Sequence, residues 1–516
     1  MSYSKIFRRG LFRLSEQNNK LQLKKLGIDT SREAVIFMRK DCHVCRSEGF
    51  DVPARIRISL NDKSILATLH TINNGLLQPH EASLSEYAWE LLDAKEGDEI
   101  HLFHPKPLQS LSFVRSKIYG EKLSYEKYNH IITDITKGYY SDIYISSFLT
   151  ACAGGRLDYD EILDITNAMI NVGERLSWPN KMVVDKHCVG GLPGNRTSLI
   201  VVPIVAYFGL TMPKTSSRAI TSPAGTADTM EIFAPVDLDI KAMKKVVEQE
   251  NGCIIWGGSV NLSPADDMLI RVEKALDIDS EGQLIASVLS KKVSAGSNNI
   301  FIDVPVGPTA KVRTLEMANN LTILFKKVAK TLNINIEMVI SDGIQPIGRG
   351  IGPALEARDV LSVLKNEKNA PNDLREKSLD IAGKIIEFSS EIKPGEGRKI
   401  AENILTKGYA LKKFKKICLA QGDFKEPPVA SHTFSVNSKY CGRVTAIDNR
   451  QIARLAKLAG APQDKAAGVD LHVSLETVVE KDEPLFTIHA ESHGALSYSL
   501  SLLEQVPEII QVEAFE

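Results

Sequence analysis

Three segments of the sequence carry side chains whose types and order suit the handling of an anion. The first is Val184-Asp-Lys-His-Cys-Val-Gly-Gly-Leu-Pro-Gly-Asn-Arg-Thr-Ser198. A short apolar strand at Met182-Val-Val leads into a loop with three glycines, then into an apolar helix from Thr197 to Phe208. Glycines let a backbone approach a ligand closely, and a helix N-terminus offers unpaired N–H groups and a positive dipole end. With Lys186 added, the segment suits an oxyanion such as phosphate. A glycine turn that satisfies only its own backbone is the alternative.

The second segment runs from Thr215 to Glu231. Its hydroxyl side chains, including Ser216 and Thr226, surround Arg218 and Gly225. Ser and Thr donate to phosphate oxygens without adding charge, and they also serve as helix caps. The third is Ile285-Ala-Ser-Val-Leu-Ser-Lys-Lys292, where Ser287 and Lys291 are spaced to share one helix face. Such a pair could hold a hydroxyl donor and a cation against one planar ligand, or form a solvated polar face. Arg271 could join them only through tertiary structure.

The elements around these segments set the architecture. A chain of 516 residues suggests about three domains of roughly 150. Residues 1–105 read as a β-rich, barrel-like domain. Ala54-Arg-Ile-Arg-Ile-Ser-Leu60 alternates strictly, Ser64 to Ile72 and Glu99 to Phe103 are further strands, and a helix spans Leu84 to Leu92. Residues 110–176 read as helical, with Asp142 and Asp158 as caps and Gly154-Gly155 as a stop. From 181 to about 422, apolar strands, glycine turns and helices alternate, which predicts an α/β domain. After a boundary at Gly422 to Pro428, residues 430–516 mix strands and helices as an α+β subdomain.

Composition excludes several classes. An apolar fraction of 43% and a net charge of −1 do not describe a disordered chain, a basic nucleic-acid binder or a polybasic membrane binder. The longest apolar run, Leu199 to Leu210, is broken by Pro203 and is shorter than the ~20 residues a bilayer needs. Met1 to Arg9 has charge but no apolar signal-peptide core. Seven cysteines in so long a chain make no disulfide framework, so a reduced, cytoplasmic protein is expected. Cys42-His-Val-Cys45 lacks the second ligand pair of a zinc site, and Gly348-Arg-Gly-Ile-Gly352 lacks a full dinucleotide fingerprint.

Taken together and in order, the three segments resemble the thymidine phosphorylase / pyrimidine-nucleoside phosphorylase family, over about residue 115 to the C-terminus. Asp185-Lys-His-Cys-Val-Gly-Gly matches its phosphate loop, and Ser216-Ser-Arg-Ala with Ala224-Gly-Thr-Ala-Asp-Thr-Met-Glu231 its signature. Arg271 and Ser287-Val-Leu-Ser-Lys291 match its base-recognition elements. Pro193-Gly-Asn-Arg-Thr, Thr221-Ser-Pro-Ala-Gly, Asp303-Val-Pro-Val-Gly-Pro308 and Gln345 to Gly352 resemble a longer branch that includes the AMP phosphorylases. Cys188 stands where the family usually has Ser, and a thiol is a weaker donor.

The resemblance implies an α/β domain plus a helical domain to which 262–295 returns, and a cleft that closes on substrate. It implies reversible phosphorolysis of thymidine-type nucleosides, with phosphate as co-substrate and neither cofactor nor metal. Lys186, Cys188, Gly190, Ser216 and Thr226 would bind phosphate. Arg271, Ser287 and Lys291 would grip the base, and His187 would donate a proton or orient the substrate. Partners would be small molecules and a second copy of the chain, as a homodimer or larger homo-oligomer, with no nucleic acid and no membrane. The alternative, a nucleoside 5′-monophosphate (AMP) phosphorylase, needs extra cations, for which Arg196 and Arg349 are candidates. A phosphoribosyltransferase-like enzyme would need acids such as Asp228 and Glu231 to hold magnesium. A non-catalytic nucleotide binder would read Cys188 as a decayed site.

Overall fold

The computed structural model describes residues 19–515 except 31, 51–53, 74, 180, 181, 191, 220, 221, 277, 279 and 507. The stretch Met1 to Arg9, Gly191 and Thr221 therefore lie outside the described residues. The chain forms two compact units that meet in sequence at Cys152 and Ala153. This boundary falls inside the 110–176 stretch, next to Gly154 and Gly155, whose positive φ angles of 67° and 75° end the preceding helix.

The first unit holds a closed barrel in which strand Lys20–Leu23 is followed in space by Glu81–Leu84, Val35–Arg39, Lys63–Ile72, Arg55–Leu60 and Glu99–Phe103. Ile56 and Ile58 fill its interior together with Leu60, as the alternation predicts, and Ile58 sits opposite Ile65. Strands Lys20–Leu23, Val35–Arg39 and Glu81–Leu84 were not expected. Each is short, and pairing across the barrel rather than local pattern creates it. Cys42 caps helix His43–Glu48 by accepting the Cys45 N–H on its sulfur, so the C-x-x-C pair is a buried part of this core. Helices Ser110–Ile118, Tyr125–Thr136 and Asp142–Cys152 complete the unit.

The second unit is built on parallel strands. Asn335–Asp342, Asn299–Val306 and Val184–Cys188 form one sheet, and Met212–Ser216 pairs with Gly252–Trp256. A bridge from Val183 to Thr211 joins the two. Asn299–Val306, buried along most of its length, reads as an apolar run because a parallel strand covered on both faces needs one. Helix Ser198–Phe208 is buried along nearly its whole length among Val360, Leu379, Ile385 and Phe414. Each such side chain contributes roughly 1.5–3 kcal/mol by leaving water. Helix Glu281–Ser294 packs Ile285, Val288 and Leu289 with Ile162 of helix Tyr159–Asn171, where Asp158 caps with Glu161 reaching back.

The C-terminal part carries two small antiparallel sheets and helices Asn449–Leu458 and His493–Gln505. Gly350–Ile351 pairs with strand Gly468–Leu471, so backbone hydrogen bonds tie this part to the α/β layer. Strands His432–Asn437, Val478–Val479 and Ile510–Ala514 were not anticipated there. The Gly348 to Gly352 loop is close-packed: Asp359 accepts the Arg349 and Gly350 N–H groups, both at 2.7 Å.

Gly194 turns the loop before the apolar helix with φ of 72°, and a Cβ there would lie 2.0 Å from the Ile347 carbonyl oxygen. Gly194→Ala should therefore lower the free energy of unfolding by about 2 kcal/mol or more, measured by urea denaturation. An unchanged midpoint would contradict this close approach.

Candidate functional site

The strand expected at Met182 to Val184 instead runs Val184–Cys188, so Asp185, Lys186 and His187 are strand residues rather than loop residues. Pairing with Asn299–Asp303 holds them there, and each buried charge has found a partner. Asp185 is fully buried; its carboxylate lies 2.7 Å from Lys292 Nζ and 3.5 Å from Lys214 Nζ, and accepts the Lys186 N–H at 2.6 Å. Lys186 Nζ donates to Thr197 Oγ1 at 2.5 Å. Burial lowers the Lys186 pKa and pushes that of Lys214 down to about 7, against the pull of Asp185 on the latter.

His187 stands among these cations. Burial, then Lys292, Lys214, Lys291 and Lys186, hold its pKa well below the ordinary imidazole value. The ring is neutral and offers one N–H and one lone pair.

Cys188 donates its S–H to Asp303 Oδ2 at 3.3 Å and accepts from Asn195 Nδ2 at 3.1 Å. Burial and Asp303 push the thiol up to about 12, so it stays protonated. Asp303 is itself held below the usual carboxylate range: burial opposes ionisation, but Lys377, 2.9 Å away, and Lys186 outweigh it. The one proton of Cys188 is thus committed to Asp303.

The second wall follows strand Met212–Ser216 and includes short helix Thr226–Glu231. Ser216 Oγ is buried and has no hydrogen-bond partner among the described residues. Asp228 shapes the intervening loop by accepting the N–H groups of Ala219 at 2.6 Å and Gly225 at 2.8 Å. Arg218 is spread over Asp228, Glu231 and Asp237 at 3.3, 2.8 and 3.2 Å, with its guanidinium above the Trp256 ring. Its hydrogen bond, with help from Lys465, lowers Glu231 to about 2. Arg218, Asp228 and Glu231 therefore brace the loop together.

The third wall consists of helices Pro264–Leu276 and Glu281–Ser294. Lys291 is ion-paired with Asp266. Burial disfavours its charge, but Asp266 and Asp267 outweigh that and raise its pKa, so it remains an ammonium.

One cleft of about 620 Å³ is lined by Lys186, His187, Cys188, Gly190, Ser216, Thr226, Ser287 and Lys291. Arg271 is not among the lining residues. It lies half-buried on helix Pro264–Leu276, which presents Asp267, Ile270, Glu273 and Lys274 to the cleft. Arg196 reaches the wall, but its guanidinium is bound to Glu356 and to the Ala224 carbonyl. Arg349 lies near Asp359, at 3.8 Å, away from the lining. Sequence reasoning missed Lys214, Asn195 and Lys292. Strand alternation places Lys214 and Ser216 on one face, and that signal was available.

The comparisons with known proteins agree with this layout. Residues 180–411 match the model of the glycosyl transferase family, a/b domain, and residues 111–173 that family's helical bundle domain. Residues 443–509 match the pyrimidine nucleoside phosphorylase C-terminal domain. A Legionella pneumophila (strain Paris) protein named "Putative thymidine phosphorylase" is 58% identical over 501 residues, 97% of either chain. Polaromonas sp. and Hahella chejuensis proteins of the same name are 54% and 53% identical, each over 96% of this chain and 97–98% of their own. The chain belongs to this glycosyltransferase family. It is a pentosyltransferase.

The transferase also shares its fold with anthranilate phosphoribosyltransferase of Thermus thermophilus. The match has a TM-score of 0.50 at 18% identity and covers 60% of this chain and 98% of that one. No described helix of the transferase is long and apolar enough to cross a membrane.

The buried lysines make its stability depend on pH. Between about 7 and the ordinary lysine value of 10.5, Lys214 is protonated in the unfolded chain and neutral in the folded one. Stability therefore rises with pH across that window, by at most about 1.4 kcal/mol per pH unit from this group. Lys214→Met should flatten the slope of unfolding free energy between about pH 7 and 9. Equal slopes for the two proteins would contradict the assignment.

Proposed function

We propose that the transferase catalyses reversible phosphorolysis of pyrimidine nucleosides, with thymidine as the reference substrate, giving free base and (deoxy)ribose 1-phosphate. The observation that carries this reading is that Lys186, Ser216 and Thr226 share one cleft with Ser287 and Lys291. A phosphate oxygen forms the new bond to C1 of the sugar. The C1–N bond breaks, its electron pair goes to the base, and the departing ring takes a proton.

Two anions must then be stabilised. Lys186 has donor capacity beyond its bond to Thr197, and the unpartnered Ser216 hydroxyl gains a partner when an oxyanion arrives. Across the cleft, Lys291 stays charged beside Asp266 and supplies an N–H donor that strengthens as the base becomes anionic. His187 is neutral, so it acts by hydrogen bonding, either orienting the sugar or base or passing on its single N–H proton. Cys188 supports the phosphate loop through Asn195 and Asp303. Phosphate enters as co-substrate, and no cofactor takes part in this scheme.

The test is to incubate the protein with nucleosides, with and without inorganic phosphate, and follow free base by chromatography. Base release that requires phosphate is expected, with Lys291→Ala lowering kcat/KM by about 10²-fold or more. Release without phosphate, or none from any pyrimidine nucleoside, would overturn the reading.

A further inference from the structure

The phosphorolysis scheme leaves unused a buried ion pair that joins two walls of the cleft. Arg196, just before helix Ser198–Phe208, is 7% exposed, and Glu356, on helix Pro353–Leu364, is 1% exposed. The Arg196 guanidinium donates from Nε to Glu356 and from Nη2 to the Ala224 carbonyl, while its Nη1 donates to the Asn195 carbonyl at 3.2 Å. Glu356 also accepts the Thr229 hydroxyl at 2.9 Å and the Gly352 N–H at 3.3 Å. Thr229 sits on helix Thr226–Glu231, which follows the loop of the second wall. One carboxylate thus ties together three segments that are far apart in sequence.

The residues on either side of Arg196 hold the phosphate loop. Asn195 donates to Cys188 at 3.1 Å, and Thr197 accepts from Lys186 Nζ at 2.5 Å. Ala224, reached by the same guanidinium, lies two residues before Thr226. Burying two charges costs more than burying apolar side chains of similar size, so such a pair is a poor way to stabilise a fold. It does fix directions, because a guanidinium is a planar fork whose N–H groups point along set lines, and a lysine cannot reproduce them. The anchored end is the turn at Gly352. A Cβ there would lie 2.3 Å from the Ala467 carbonyl oxygen, and the adjoining strand Gly350–Ile351 pairs with Gly468–Leu471. Glu356 and this turn are outside the cleft lining.

We infer that Glu356 and Arg196 are positioning residues for inorganic phosphate: the carboxylate aims the guanidinium, and the guanidinium sets the loop of Asn195 and Thr197 against the loop of Ala224 and Thr226. Lys186 on one wall and Ser216 and Thr226 on the other then converge on one oxyanion. Arg196 spends its fork on protein acceptors, so it serves the reaction through geometry and not as a ligand to a substrate phosphate. This role rests on the phosphate half of the phosphorolysis reading.

The test titrates inorganic phosphate and, separately, thymidine into the wild-type protein, Arg196→Lys, and the double variant Arg196→Met with Glu356→Met, by calorimetry. Apolar residues of similar volume often replace a buried ion pair without loss of stability, so circular dichroism and the Tm should show the double variant folded. Both variants should weaken phosphate binding by about 10-fold or more and raise the phosphate KM in turnover, with the Kd for thymidine near that of the wild type. An unchanged phosphate Kd in either variant would overturn the positioning role. An equal loss of affinity for both ligands would also overturn it, because the whole cleft would then have loosened. If the double variant is unfolded, Arg196→Lys, which keeps the charge beside Glu356 but not the fork, decides by the same results. A wild-type protein that binds no phosphate would bring down the phosphorolysis reading and this role together. One that binds phosphate but not thymidine would bring down only the base half of that reading, and the phosphate Kd of the variants would still decide the role.

Discussion

Positive charge kept out of water is the constraint on which the second unit depends. Lys186, Lys214 and Lys292 are each at most 5% exposed and surround a single imidazole. An isolated buried ammonium would neutralise or unfold its surroundings. Here Asp185 sits between Lys214 and Lys292, and Asp303 answers Lys377 and Lys186. Both carboxylates stand on adjacent parallel strands, so the register that pairs Val184–Cys188 with Asn299–Asp303 also sets the electrostatics of the cleft. A shift of one residue would turn Asp185 away from both lysines.

That arrangement gives the two ends of the cleft different characters. At the strand end the lysines outnumber the carboxylates, which suits a multiply charged oxyanion. At the helix end Lys291 is matched by Asp266, a balanced pair that suits a ring neutral at first and anionic only as it leaves. A neutral His187 between them avoids adding another charge. Cys188, with its proton tied to Asp303, holds Asn195 in place without competing as a thiolate.

Much of this was legible in the sequence where local pattern and final environment agree. The alternation of Arg55–Leu60, the apolar helix Ser198–Phe208 and the Ser287/Lys291 spacing each announced a face that the fold then uses. Resemblance carried the assignment of the phosphate and base segments, since glycine loops and hydroxyl runs have several uses. What was not legible came from tertiary pairing. Val184–Cys188 carries charged residues that look unsuited to a strand until Lys292, Lys214 and Asp303 are brought beside them. The fate of Arg196 depended on Glu356, distant in sequence. The Arg450, Arg454, Lys457 spacing was readable as a helix face, but only the fold shows that this face meets the cleft.

The central claim is that one cleft receives both an inorganic oxyanion and a departing base. A crystal structure of the protein with phosphate and a non-hydrolysable nucleoside analogue tests it most directly. The account predicts phosphate oxygens within hydrogen-bond distance of Ser216 Oγ and Lys186 Nζ, with the edge of the base against Ser287 and Lys291 in the same cavity. Phosphate bound away from Ser216, or the two ligands in separate cavities, would contradict it.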